Sequence, residues 1–305
     1  MQRDFVQYAA VPVVPTAAAG DVANPTPKKL VWDLQTITFV LSMLFQLATL
    51  IVSAVTLSGS GGSNPSPPLL IFVVTSELVI QAVEITWYSV VGVLYYFGEL
   101  SIGVKYRYWD WMITTPVGLV ALIIFVWYLE CQSADFGILA ESSRIWAIVT
   151  IVVMDLLMLA IGYAYEAELG VRKWINMLVP CFGESKNEYS LTSYRGLFLG
   201  WIPFVGIFAP MVVALITAEP TGNVFGYAIF AVSITAFTWA LYGVVALVFR
   251  SPASAKNKNA SYNLLDIVSK NIVGLVTSVV ALNLSSGQNT AQWNMTCVSN
   301  SSSSF

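Results

Sequence analysis

The stretch YNLLDIVSKNIVGLVTSVVALNL at 262–284 decides the fold, because it is mostly apolar and long enough to cross a lipid bilayer. A helix needs about 20 apolar residues to span a hydrocarbon core of roughly 30 Å. Six earlier stretches have similar length and composition, and polar runs rich in Gly, Pro or Ser separate most of them. The predicted spans are 30–57, 69–97, 108–129, 144–165, 196–217, 225–249 and 262–284.

The composition supports a membrane protein. Of 305 residues, 57% are hydrophobic and only 10% are charged, which is more apolar surface than a soluble domain can bury. We therefore predict an all-α membrane protein, a seven-transmembrane helix bundle. The chain has no histidine and no zinc-type cysteine spacing, so we expect neither a metal site nor an enzyme. A net charge of −3 without a basic stripe argues against nucleic-acid binding.

Basic residues are distributed unevenly between the two ends of the predicted spans. The N-terminal side carries Arg3, Lys28, Lys29, Lys105, Arg172, Lys173, Lys186, Arg195, Arg250, Lys256 and Lys258. The opposite side carries Arg144 alone. The positive-inside rule then predicts a cytoplasmic tail at 1–29, the bundle at 30–284 and an extracellular Ser/Asn-rich tail at 285–305. Cys131 and Cys297 would share the outer side, where we hypothesise a disulfide.

Lys270 lies in the middle of the last span, where inserting a lysine costs about 2.5–3.5 kcal/mol. Asp266 is four residues earlier, so the two side chains share a helix face. One interpretation is a structural ion pair that holds the bundle together. The other is that the Lys270 amine forms a Schiff base with an aldehyde, for which a flexible amine in a dry pocket is suited. The spacing of Asp266 and Lys270 alone does not distinguish these two interpretations.

The third span adds a second charged pair. Its sequence at 107–116 is RYWDWMITTP, in which Arg107 and Asp110 are one turn apart. A protonated Schiff base in low dielectric needs a nearby carboxylate, because an unpaired cation would lose its proton. Asp110 is a candidate for that carboxylate, and it favours the second interpretation of Lys270.

Arg-Tyr-x-Asp-Trp-x-x-Thr-Thr-Pro in the third span and Asp-x-x-x-Lys in the seventh resemble the microbial (type 1) rhodopsins. The resemblance covers all seven spans. It implies a photoreceptor in which all-trans retinal is linked to Lys270. It also implies that Asp110 and Asp266 are the counterions, that Arg107 is a gate arginine and that Thr114 lies near the Schiff base.

The same resemblance implies a retinal pocket with residues from three spans. Its lining would include Trp111, Thr115, Met158, Gly162, Trp239 and Tyr242. Asp155 would hydrogen-bond Thr115 between two helices. The alternative for the aromatic residues is an ordinary position in the core or at the membrane interface, because aromatic residues make up 13% of the chain.

The inverted orientation, together with residues 196–206, 222–227 and Glu77, is similar to the heliorhodopsins, a branch whose N-terminus is cytoplasmic. This resemblance implies a homodimer. The chain departs from that branch in having Asp110 rather than Glu as counterion, in its Thr-Thr-Pro motif and in lacking histidine. The third span is therefore pump-like, whereas the orientation is heliorhodopsin-like.

Glu77 and Glu84 lie on nearly the same face of the second span, seven residues apart. Such glutamates mark a hydrated path resembling that of channelrhodopsins, or they are hydrogen-bonded structural residues. A pump resembling bacteriorhodopsin has a carboxylate donor where this chain has Ala121, which disfavours efficient pumping.

We predict a light-switched conformation that gates proton or cation conductance. A proton pump without a carboxylate donor and a non-transporting light sensor are the alternatives. A seven-span transporter or receptor with a structural Lys–Asp pair is the alternative from another class.

Overall fold

The computed structural model describes residues 32–59, 67–96, 105–131, 136–166, 188–217, 225–249 and 254–285. The two tails and Cys297 lie outside these ranges, so the tail boundaries and the proposed disulfide stay predictions. Seven long helices are present in the described residues. They are α1 (Leu34–Gly59), α2 (Pro68–Tyr96), α3 (Lys105–Cys131), α4 (Ser142–Glu166), α5 (Glu188–Thr217), α6 (Phe225–Val248) and α7, which consists of Ala255–Asp266, Ile267–Ile272 and Val273–Ser285.

All seven helices are apolar and long enough to cross a membrane, which confirms the predicted all-α, seven-helix bundle. α5 begins at Glu188 and α7 at Ala255, earlier than the apolar runs at 196 and 262 that predicted them. The reason is that hydropathy detects only the part of a helix in the hydrocarbon, whereas the helix continues into the polar interface. At the start of α7, Lys256 Nζ lies 2.9 Å from Asp33 Oδ2, just before α1.

The helices form a ring in which chain neighbours pack together and α7 closes against α1. α3 also extends towards the interior of this ring, because it contacts α5 and α6 in addition to its chain neighbours α2 and α4. Large apolar side chains on the outer faces are exposed, such as Ile216 at 77% and Phe237 at 63%. This distribution is the reverse of that in a soluble protein and suits a surface covered by lipid.

The buried face of α1 is polar along its whole length. Its buried residues are Gln35, Thr38, Ser42, Gln46, Thr49, Ser53 and Thr56. The spacing of three or four residues keeps them on one stripe, which packs against α2 and α7. The interior of the bundle is therefore hydrophilic on the α1 side and apolar around α5, α6 and the later part of α3, from Leu119 to Leu129.

A π-helical turn, Ile267–Ile272, interrupts α7 and contains Lys270. Asn271 Nδ2 donates to the Asp266 carbonyl at 3.5 Å, a long contact, and Thr49 Oγ1 donates to the Asn271 carbonyl at 3.3 Å. These bonds satisfy backbone oxygens around the wider turn. Single π-helical turns are frequent at functional sites, so the turn directs attention to this part of α7.

Candidate functional site

The Lys270 amine is buried and contacts residues of α2 and α3. Its Nζ donates to Thr114 Oγ1 at 3.0 Å, to Asp110 Oδ2 at 3.3 Å and to Glu84 Oε1. The side chains of Glu84 and Asp110 are 0% and 1% exposed. A buried ammonium is stabilised only when carboxylates and hydrogen bonds replace its water, and this site supplies both.

Asp266 belongs to a second polar group beside the first. Its Oδ2 accepts hydrogen bonds at 2.8 Å from Arg107 Nη1 and at 2.8 Å from the Tyr88 hydroxyl. Its Oδ1 accepts one at 2.5 Å from the Tyr242 hydroxyl. Arg107 also contacts the Asn263 side chain and the Asn259 carbonyl. Both oxygens of Asp266 are thus occupied by partners from α2, α3 and α6.

The direct carboxylate partners of Lys270 differ from the predicted pair. Asp110 is in contact as expected from the sequence, but Asp266 is paired with Arg107, and Glu84 takes the second place at the amine. A spacing of four residues puts Asp266 and Lys270 on one face of α7, but it does not indicate which groups on other helices bind each of them. Asp266 is bound by Arg107 rather than by Lys270. The guanidinium donates to the carboxylate, and two tyrosine hydroxyls donate to the same carboxylate.

The two groups form one buried cluster with unequal charges. Glu84, Asp110 and Asp266 are three carboxyl groups, and Lys270 and Arg107 are two cations. An excess negative charge is costly at this depth, and the hydroxyls of Tyr88 and Tyr242 offset part of that cost by donating to Asp266.

A cavity of about 170 Å³ extends from Lys270 between α3, α4, α5 and α6. All seven residues predicted to hold the cofactor line it, namely Lys270, Trp111, Thr115, Met158, Gly162, Trp239 and Tyr242. Trp111 and Tyr242 meet edge to face with ring centroids 5.3 Å apart. At Gly162 an added Cβ would lie 2.7 Å from the Tyr108 hydroxyl, so glycine permits this close packing of α4 on α3.

Several residues of the site were not predicted from the sequence. The cavity is also lined by Tyr108, Trp201, Phe204 and Tyr262, and Tyr88 binds Asp266. Tyr88 could have been found, because it is four residues after Glu84 and therefore on the same face of α2. The aromatic residues of α5 share one helix face, because Phe198, Trp201, Phe204 and Phe208 are three or four residues apart, but this spacing does not indicate which of them reach the cavity.

The remaining predicted residues also lie near Lys270. Asp155 Oδ2 is 2.8 Å from Thr115 Oγ1, which joins α4 to α3. Glu77 does not belong to the cluster of charges. It lines a second, smaller cavity that shares Lys270, Ser269 and Thr115 with the first.

Comparison with known proteins places this arrangement in a family. The family model for bacteriorhodopsin-like proteins matches residues 33–284. Viral rhodopsin OLPVRII superposes with a TM-score of 0.59, at 21% identity, over 83% of this chain and 99% of that chain. A thermophilic rhodopsin gives 0.62 at 19% identity, over 83% and 94%. Xanthorhodopsin, described as a light-driven ion pump with dual chromophore, gives 0.63 at 16% identity, over 86% and 98%. No curated protein matches.

Fold and site together define an integral membrane protein of seven helices with an ionised cluster at its centre. The chain belongs to the bacteriorhodopsin-like family of microbial rhodopsins. Proteins of this family generally bind retinal and act as light-driven pumps or sensors.

Proposed function

We propose that Lys270 carries covalently bound all-trans retinal and that the chain is a photoreceptor switched by light. The observation that supports this most is the position of the Lys270 amine, which lies at the end of an aromatic cavity and against two carboxyls. The cavity fits the group, because its lining is largely apolar and polar contacts concentrate at the amine. Retinal supplies the absorption of visible light and the photoisomerisation.

Residues of the chain around Lys270 have separate roles in stabilising charge and in orienting the amine. Glu84 and Asp110 stabilise positive charge at Lys270 Nζ, and Thr114 orients it through its hydroxyl. The salt bridge between Arg107 and Asp266 forms a second pair of charges, and the hydroxyls of Tyr88 and Tyr242 hold Asp266 in position by hydrogen bonds. Movement of Lys270 relative to Glu84 and Asp110 would rearrange this hydrogen-bonded cluster, and we propose that the rearrangement is the switch.

Expression with all-trans retinal tests the attachment. We expect a coloured protein and a retinal adduct on the Lys270 peptide by mass spectrometry. Lys270→Ala should remove the colour, whereas Lys256→Ala, at a side chain 73% exposed, should keep it. A colourless wild-type protein, or an adduct elsewhere, would overturn the proposal and leave the structural ion pair as the role of Lys270.

We further propose that the switch gates proton or cation conductance. A polar seam supports this, which we define as the buried face of α1 together with Gln81 and Glu84 of α2 and Asn271 and Ser278 of α7. Ser53 and Ser278 hydroxyls are 2.9 Å apart, which links α1 to α7 within it. Gln46 Oε1, both side-chain polar atoms of Gln81 and Asn271 Oδ1 are buried without hydrogen-bond partners. Unpartnered buried polar atoms favour hydration, and a hydrated seam can carry ions.

Whole-cell recording under illumination separates the alternatives. A photocurrent that reverses with voltage supports the channel, and a current in one direction supports a proton pump without a carboxylate donor on α3. A pigmented protein without current supports a non-transporting sensor. Glu84→Gln should change the amplitude or reversal potential of a channel current, because Glu84 lies both in the seam and at Lys270.

We also propose the inverted, heliorhodopsin-like orientation, with the N-terminus in the cytoplasm. Its support is the concentration of basic residues on the N-terminal side of the bundle against Arg144 on the other. An epitope fused to the N-terminus should be detected only after cells are permeabilised, whereas one fused to the C-terminus should be detected on intact cells. The reverse labelling would remove both the orientation and the likeness to that branch.

A further inference from the structure

Lys270 borders a second cavity on the side away from Arg107. This cavity has a volume of about 40 Å³, and a single water needs roughly 10–15 Å³ measured in the same way. Hydroxyls of Thr114, Ser269 and Thr277 line it together with Glu77 and Lys270. The space is therefore large and polar enough for water between the Glu77 carboxyl and the Lys270 nitrogen.

Glu77 is suited to hold a proton in the dark. It is only 7% exposed, and its carboxyl receives no hydrogen bond or salt bridge among the described residues. Lys270 is the one cation among the residues that line the cavity, and it is already paired with Glu84 and Asp110. An ionised Glu77 would be a buried, uncompensated charge, so the neutral acid is favoured.

Gly274 lets Glu77 approach α7. A Cβ on Gly274 would collide with Glu77 Oε2, so the carboxyl rests against the backbone of α7 one turn after Lys270. On the α3 wall of the same cavity lies Ala121, at the position where the resemblance to bacteriorhodopsin leads one to expect a carboxylate donor. A carboxyl missing from α3 is thus present on α2, facing the same space.

We infer that Glu77 is the proton donor that returns a proton to the Lys270 nitrogen after light has caused its loss. In this step the O–H bond of Glu77 breaks, its electron pair stays on the carboxylate, and an N–H bond forms at Lys270. Water in the second cavity carries the proton, and solvent later reprotonates Glu77. The inference rests on the proposed retinal attachment at Lys270, but not on whether ions cross the membrane.

Infrared spectroscopy of the retinal-free protein tests the first requirement. At neutral pH, Glu77→Gln should remove a carbonyl band of a protonated carboxylic acid, whereas Glu141→Gln, on an exposed side chain, should remove none. If the band is unchanged in Glu77→Gln, Glu77 is ionised and the inference fails, whatever the pigment does.

Flash spectroscopy of the pigment tests the transfer itself. Because a positioned acid accelerates proton transfer by about 100-fold or more, Glu77→Gln should slow recovery of the visible band by about 100-fold. Recovery in that variant should also fall as bulk pH rises, because the proton must then come from solvent. Glu77→Asp should retain fast recovery, and Glu77→Gln with Ala121→Asp should regain it from the opposite wall.

The results separate the two proposals. A wild-type protein that forms no pigment contradicts the attachment at Lys270. A pigment whose recovery is equally fast and equally independent of pH in wild type and Glu77→Gln contradicts the donor role alone. Gly274→Ala offers a further check, since it should displace the Glu77 carboxyl and slow recovery without removing the acid.

Discussion

At the scale of single residues, Glu84 changes the electrostatics expected from the two sequence motifs. It comes from α2, outside both motifs, and it contacts Lys270 together with Asp110. Sequence reasoning identified Glu84 as a buried acid but assigned it to a path rather than to the amine. Contacts between helices depend on how each helix is rotated in the bundle, and spacing within one helix carries no information about that rotation.

Asp110→Asn and Glu84→Gln should each move the visible absorption of the pigment to longer wavelength. Each removes negative charge next to the Lys270 nitrogen, where it stabilises the ground state more than the excited state. The double variant should lose its positive charge at the nitrogen at a lower pH than either single variant, because neither acid remains in contact. Absorption spectra and pH titrations measure both effects. If Glu84→Gln leaves the spectrum unmoved, Asp110 alone is the counterion in contact.

At the scale of helices, some features of α7 can be predicted from the sequence and others cannot. Its length and its two charges are evident because the bilayer sets the length and penalises the charges. The π-helical turn at Ile267–Ile272 is not evident, because the apolar pattern continues through it unchanged. The start at Ala255 is also hidden, since residues in the interface are polar whether or not they are helical.

Asp33 should stabilise the start of α1 in two separable ways. Its Oδ1 accepts a hydrogen bond at 2.9 Å from the Thr36 amide, as an N-cap does, and its Oδ2 pairs with Lys256. Asp33→Ala should lose both contributions, about 0.5–2 kcal/mol for the cap. Asp33→Asn keeps a capping oxygen and should cost less. Thermal unfolding of the two variants at neutral pH measures the difference, and equal losses would mean that the cap contributes nothing.

The hydrogen bond from Lys256 and that from the Thr36 amide lower the pKa of Asp33 from 3.8 to about 2. A carboxyl with a lowered pKa contributes stability that is present above its ordinary pKa and is lost as pH falls towards the folded-state value. The difference in unfolding temperature between wild type and Asp33→Asn should therefore be constant from pH 5 to 7 and shrink between about pH 4 and 2. A difference that grows on acidification would contradict the pairing.

The contact between α4 and α5 depends on a glycine. A Cβ at Gly206 would lie 2.8 Å from Met154 Cγ, whereas one at Gly226 would have no heavy atom within 4 Å. Gly206→Ala should destabilise the bundle by about 1–3 kcal/mol through overpacking, partly relieved by the flexibility of Met154. Gly226→Ala should not destabilise it. Melting temperatures in one detergent compare the pair, and a neutral Gly206→Ala would show that Met154 moves freely.

At the scale of the whole molecule, the seven-helix bundle was predictable and its internal asymmetry was not. Hydropathy located the spans because lipid sets their length, but it did not reveal that the buried stripe of α1 is polar. The lining of the cavity was implied by the resemblance to microbial rhodopsins, and all seven predicted residues meet there. The residues from α5 and the pairing of Asp266 depend on packing between helices, which a single sequence does not encode in its spacing.

If the polar seam conducts, Gln46→Leu should reduce the photocurrent strongly, because Gln46 is fully buried and its Oε1 lacks a partner. Leu47→Ala provides the matched control, since Leu47 is 47% exposed on the outer surface. Both variants should form pigment. Currents per pigment molecule that are equal in the two variants would place any ion path elsewhere in the bundle.

The polar stripe of α1 has a consequence for insertion of the protein into the membrane during its synthesis. Hydroxyls of Thr38, Thr49 and Thr56 donate at 2.9, 2.9 and 2.8 Å to the carbonyls four residues earlier. These three hydroxyls have hydrogen-bond partners within their own helix. They therefore allow α1 to move from the translocation machinery into the lipid by itself, before the ribosome has made α2 or α7. Later helices then add contacts to an already inserted segment, as the Asn271 carbonyl does at 3.3 Å from Thr49 Oγ1, which keeps its local bond.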